Sequence, residues 1–232
     1  MELTLKSRFV GNVYVIQCAG KIIAGPEAKA LEAALDDAAY EFRRFVLSLS
    51  QLTRLDSIGL GLLVRYAVRL RQRDGDIRLA APPPFLVTLL DLTKLSETFQ
   101  SFPTEEEAIL SFLRQRPVQE GAAQRRHGPR VLVVDESADL CVFVRTVLQK
   151  HGFDVNSSCL LADAKVLLQV DKVDYILAGP STPQCPAEMT LKALTPFAPR
   201  AAALRLDDNF KSLDAEQATS ALLRLFNLQP TA

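Results

Sequence analysis

The chain has 232 residues, a formal net charge of +0 and a hydrophobic content of 48%, enough for one large domain or two small ones with an ordinary apolar core. Balanced charge argues against nucleic acid or an anionic membrane as the main partner, because both select a basic excess. No apolar run approaches the roughly 18–20 residues of a membrane span. Met1-Glu2-Leu3-Thr4-Leu5-Lys6 alternates and carries an early acid, unlike a signal peptide. These features predict a cytoplasmic protein with no membrane insertion.

The cysteines Cys18, Cys141, Cys159 and Cys185 lie far apart in sequence, so no zinc-type pair exists, and they read as reduced, mostly core residues. His127 falls in a polar stretch and His151 at a predicted helix end. A His-dependent catalytic site is therefore not expected. No phosphate loop, metal-ligand cluster or nucleophile triad is present, which points away from an enzyme and from any cofactor.

Leu3–Lys6 alternates as a short strand, Gly11-Asn12 turns the chain, and Val13–Gly20 reads as a second strand. Gly25-Pro26-Glu27 opens a helix, with Pro26 near its first position and Glu27 facing the dipole, and apolar spacing continues to about Tyr40. Phe45–Leu49 is an apolar strand. A helix over roughly Ile58–Gln72 buries Leu62, Leu63, Tyr66, Ala67 and Leu70, with Arg65, Arg69 and Arg73 on another face. That arginine row suits either a solvated face or the docking of an acidic surface. Ile77–Ala80 is a strand, Phe85–Leu92 a short apolar helix and Phe99–Phe102 an edge strand. Thr104 caps a final helix whose first turn carries Glu105, Glu106 and Glu107, read as helix-start electrostatics.

Residues 1–115 thus form an α/β layer fold, a sheet with helices preceded by a hairpin. Residues 116–129 are polar and aperiodic, as an interdomain linker would be. Residues 130–232 repeat the strand–helix alternation with near-continuous apolar strands, which implies a mainly parallel sheet covered on both faces. Its predicted strands are Arg130–Asp135, Phe153–Val155, Val173–Ala178 and Ala201–Leu206. Its predicted helices are Ala138–Lys150, Leu160–Val170, Glu188–Leu194 and Leu213–Phe226.

The stretch Leu55-Asp56-Ser57-Ile58-Gly59-Leu60-Gly61 places a carboxylate and a hydroxyl at the positive end of a helix. Glycines are poor helix formers, so Gly59 and Gly61 are placed there for some other reason, such as close approach by another backbone. From the residues alone, Asp56 and Ser57 read as helix caps. In its strand–turn–helix context, however, the stretch resembles the STAS domain of bacterial anti-sigma factor antagonists. The resemblance extends over nearly all of residues 1–115, including the run Pro84-Phe85-Leu86-Val87 and the Glu105-Glu106-Glu107-Ala108 helix. In that family the motif reads Asp-Ser-x-Gly-Leu-Gly and its serine is phosphorylated by a cognate serine kinase.

The resemblance implies phosphorylation at Ser57. Because Ile58 fills the position where a second hydroxyl often stands, the acceptor cannot shift by one. It also implies a partner-docking face made of Asp56, Ser57, Ile58, Gly59, Leu60, Gly61 and Arg65. The implied partner is an anti-sigma factor that is a GHKL-type serine kinase, and a homodimer is compatible with it. The alternative is a non-catalytic scaffold subunit of a larger signalling or membrane transport complex, with no phospho-switch.

Residues 130–232 resemble a degenerate response-regulator receiver domain, a flavodoxin-like parallel sheet. Asp135-Glu136 matches that family's acidic pair and is a thin metal site at most. Gly179 stands where the phosphoacceptor aspartate is expected, Leu206-Asp207-Asp208 where a Ser or Thr is expected, and Lys211 is a poor match to the expected lysine. Without an acceptor carboxylate, aspartyl phosphorylation has no nucleophile. This half reads as a phosphorylation-independent interaction or dimerisation module.

Overall fold

A computed structural model describes residues 2–115, 128–180 and 186–228. The chain divides into two compact units, Met1–Arg116 and Pro117–Ala232. His127, Cys185 and most of the expected linker lie outside the described residues.

The first unit runs β1 (Thr4–Val10), β2 (Val13–Ile22), α1 (Pro26–Ala39), β3 (Arg44–Leu55), α2 (Ser57–Arg71), β4 (Asp76–Ala80), α3 (Pro84–Leu92), β5 (Gln100–Phe102) and α4 (Glu105–Arg114). Its strands lie in the order β5-β4-β3-β2-β1. The β1–β2 hairpin is antiparallel and the remaining pairs are parallel. Gly11 turns that hairpin with φ 59°, a left-handed value that glycine adopts without a Cβ penalty. β3 extends six residues beyond the expected Leu49. Its second half exposes Ser50, Gln51, Thr53 and Arg54, so the apolar signal stops while pairing with β2 continues through two register shifts to Ile22↔Leu55.

Side-chain alternation assigns the two faces of this sheet. Arg44, Ser48 and Arg78 share one face and meet α4 through Phe112, Ser111 and Glu105. Phe45, Leu47, Leu49, Ile77 and Leu79 lie on the other face and are fully buried, as are Leu31 and Leu35 of α1 and Leu63 and Ala67 of α2. Arg65, Arg69 and Arg73 lie exposed, as a solvated row would, and each also has a partner on α1. Arg65 Nη2 lies 2.6 Å from Glu32 Oε1, Arg69 Nη1 lies 2.6 Å from Asp36 Oδ1, and Arg73 donates to the Ala39 carbonyl at 3.1 Å. The row ties α2 to α1. Glu105 likewise does more than face a dipole. Burial would raise its pKa, but the Arg8 guanidinium hydrogen-bonded to it outweighs that and holds it below the usual carboxylate range.

Arg78 is 2% exposed, with its guanidinium 3.7 Å from the Phe112 ring centroid. It donates to Ser111 Oγ and Gln115 Oε1, while its Nε has no hydrogen bond. Arg78→Ala removes both the packing and the ring contact, and should destabilise the unit by about 3 kcal/mol. Arg78→Met keeps the volume and discards the unsatisfied donor, so about 1.5 kcal/mol or less is expected. Thermal unfolding of the two variants side by side checks the order.

The second unit runs β6 (Arg130–Val134), α5 (Ala138–Lys150), β7 (Asp154–Ser158), α6 (Leu161–Val170), β8 (Tyr175–Ala178), α7 (Ala187–Leu194), β9 (Ala202–Arg205) and α8 (Ala215–Leu225). Its strands are all parallel in the order β7-β6-β8-β9. Val131, Leu132, Val133, Ile176 and Leu177 form a buried centre, the expected continuous apolar strands. The receiver resemblance calls for a fifth strand. Among the described residues the chain instead goes from β9 through a 3-10 turn, Phe210–Ser212, into α8, which Asp214 caps by accepting from Gln217 N at 2.8 Å.

Candidate functional site

The turn between β3 and α2 is built from backbone hydrogen bonds. Asp56 N donates to the Ile22 carbonyl at 3.2 Å, tying the ends of the parallel strands β2 and β3 together. Asp56 is the N-cap of α2: its Oδ1 accepts from Gly59 N at 2.8 Å and its Oδ2 from Ala24 N at 2.8 Å. Both carboxylate oxygens are therefore engaged. Those two N–H groups, Gly59 first and then Ala24, hold the Asp56 carboxyl below the usual carboxylate range.

A depressed folded-state pKa contributes stability above the unfolded value, and that stability is lost as pH falls through the folded one. Asp56→Asn should thus be less stable than the parent at neutral pH, with the gap closing in acid. Urea unfolding of both proteins across that range measures it. A gap that stays constant with pH would contradict the ionised cap.

Ser57 occupies the first helical position and is exposed. Its hydroxyl makes no hydrogen bond to any described residue, because the capping that residue type alone would assign to either side chain is done by Asp56. Ile58 beside it is 57% exposed. Gly59 and Leu60 turn inward and are buried. Of the residues expected at the docking face, Ser57, Ile58, Gly61 and Arg65 are exposed, Asp56 is half-buried, and Gly59 and Leu60 are buried, with Arg65 paired to Glu32.

The two glycines have different reasons to be there. A Cβ at Gly59 would sit 2.6 Å from the Ile22 carbonyl oxygen and 2.8 Å from the Ile22 and Leu55 side chains. At Gly61 a Cβ would meet nothing within 4 Å. Gly61 lies one turn below Ser57 on the same helix face, where a side chain would lean back over the residue four before it. Its absence leaves the hydroxyl uncovered.

In the second unit Asp135 and Glu136 sit in different surroundings. Asp135 is buried and Glu136 exposed. Asp135 Oδ1 accepts from Ser137 N at 2.7 Å and lies 3.1 Å from Lys211 Nζ. Sequence reasoning missed that pairing, which joins residues 76 positions apart. A Cβ at Gly179 would lie 1.8 Å from Asp135 Oδ2, so the Asp135 carboxylate fills the space that a side chain at 179 would need. Among the described residues no group of three or more His, Cys, Asp or Glu is placed to hold a metal ion, and no helix is long and apolar enough to cross a membrane.

The STAS domain family model matches residues 4–108, so the first unit of this chain is such a domain. No curated protein matches the chain. Among solved structures it is similar to an anti-sigma factor antagonist from Mycobacterium paratuberculosis, at 27% identity, over 47% of this chain and 93% of that one, with a TM-score of 0.43. It is also similar to the anti-sigma factor antagonist SpoIIAA in its unphosphorylated form, at 17% identity, over 49% of this chain and 99% of that one, with a TM-score of 0.41. The Bacillus cell fate determinant SpoIIAA in its phosphorylated form matches at 21% identity, over 47% of this chain and 99% of that one, with the same TM-score of 0.41.

Proposed function

We propose that this protein is an anti-sigma factor antagonist working by partner switching. Its unphosphorylated STAS domain binds an anti-sigma factor that is a GHKL-type serine kinase, and phosphorylation at Ser57 ends the complex. The observation that carries this reading is the division of labour at the turn: Asp56 caps α2 with both oxygens, and the exposed Ser57 hydroxyl is left unbonded. A phosphate there gains about −1.5 to −2 charge at a helix N-terminus, which accommodates it without unfolding the domain. Ser57, Ile58 and Gly61 form the docking face, and the protein acts by binding, not by catalysis, in the cytoplasm.

The test is incubation with the cognate kinase and ATP, followed by mapping of phosphate by mass spectrometry. Label at Ser57 is expected, and label confined to other residues excludes the mechanism. A scaffold role without a switch is the second reading, favoured by the intramolecular pairing of Arg65 with Glu32, which offsets a positive charge on the expected docking face.

Residues 130–232 act in this reading as a receiver-like interaction or dimerisation module that takes no phosphate. Position 179 offers no carboxylate, and Asp135 is held by Lys211. Acetyl phosphate should leave no stable aspartyl adduct on this unit, as intact-mass measurement would show.

A further inference from the structure

Among the described residues, the second unit holds two thiols that the switch at Ser57 does not use. Cys141 projects from the first half of α5 and is fully buried, while Cys159 follows β7 and is half-exposed. Cys141 Sγ lies 3.5 Å from the Asp135 carbonyl oxygen and 3.9 Å from that of Ser158, the neighbour of Cys159. The two thiols also hydrogen-bond to each other. We propose that Cys141 and Cys159 form a reversible, peroxide-sensitive dithiol, with Cys159 the attacking sulfur and Cys141 the resolving one.

The asymmetry of the pair sets these roles. A reactive thiol needs access, and only Cys159 has it. Cys141 is fully buried, and its hydrogen bond to Cys159, followed by burial, pushes its thiol well up. The Cys159 thiolate takes one oxygen from a hydroperoxide, the O–O bond breaks, and the leaving hydroxide picks up a proton as water. The Cys141 sulfur then displaces hydroxide from the Cys159 sulfenic acid, forming the S–S bond, and the Cys141 proton leaves with that hydroxide as a second water. In sum, two thiols and one hydrogen peroxide give one disulfide and two waters.

The full chain, reduced and then treated with hydrogen peroxide, should yield a Cys141–Cys159 cross-linked peptide on non-reducing mass mapping, lost again with dithiothreitol. Cys141→Ser removes the resolving sulfur, so Cys159 should then accumulate as a sulfenic acid that a 1,3-dione reagent traps. Cys159 staying unoxidised in the parent protein, or pairing mainly with Cys18 or Cys185, would overturn the proposal. Because the first measurement is made on the unaltered chain, a folding defect in the variant cannot mask that outcome.

Discussion

Gly59→Ala is expected to destabilise the STAS unit by roughly 2 kcal/mol or more, while Gly61→Ala, two residues on, stabilises it by up to about 1 kcal/mol. Both glycines lie in the first two turns of α2, and on propensity alone each exchange should help by a similar amount. Packing separates them. The new methyl at 59 lands 2.6 Å from a backbone oxygen, that of Ile22. This oxygen already accepts from Asp56 N, so it cannot retreat without opening the β2–β3 junction. Overpacking of that kind costs about 1–3 kcal/mol beyond the propensity gain. At 61 the methyl enters open space. Thermal unfolding of the two variants should therefore move in opposite directions, and a shared direction would refute the contact-based reading.

That contrast also marks what the sequence could reveal. A glycine pair in a first turn signalled a constraint, but not that one glycine faces the protein's own strand while the other faces outward. The helices and strands were legible because apolar spacing is a local property. The stripe Leu62, Leu63, Tyr66, Ala67 and Leu70 is buried as its period requires. Pairings across long separations leave no such trace. Arg8 meets Glu105 from 97 residues away, Arg65 meets Glu32 from 33, and Lys211 meets Asp135 from 76. No local pattern joins the members of these pairs before the fold brings them together. Arg78 lies between Ile77 and Leu79 in β4, and α4 lays Phe112 over it. A strand covered on both faces has no solvent side to give an arginine, and only the ring and the Ser111 and Gln115 oxygens make its burial tolerable.

Ser57→Asp should lower affinity for the cognate anti-sigma kinase by about a hundredfold, while Ser57→Ala binds within about threefold of the parent. The two variants separate charge from the loss of a hydroxyl. An unpaired charge desolvated in an interface costs several kcal/mol, and about 2.8 kcal/mol is a hundredfold in affinity. The fold should not share that cost. Ser57 is exposed at the first position of α2, where an acid interacts favourably with the dipole by about 0.3–1 kcal/mol. The Asp56 cap does not depend on the serine, since its oxygens bind Gly59 N and Ala24 N. Stability held or slightly raised, with affinity lost, is thus the signature of a switch built on a helix end that tolerates charge facing a partner that does not. Calorimetric titration paired with thermal unfolding reads both quantities on the same samples. If Ser57→Asp and Ser57→Ala bind as tightly as the parent, the docking face lies elsewhere on the domain and the scaffold reading takes its place. If affinity and stability fall together, the charge is disturbing the β3–α2 turn itself, and the separation of cap from acceptor is wrong.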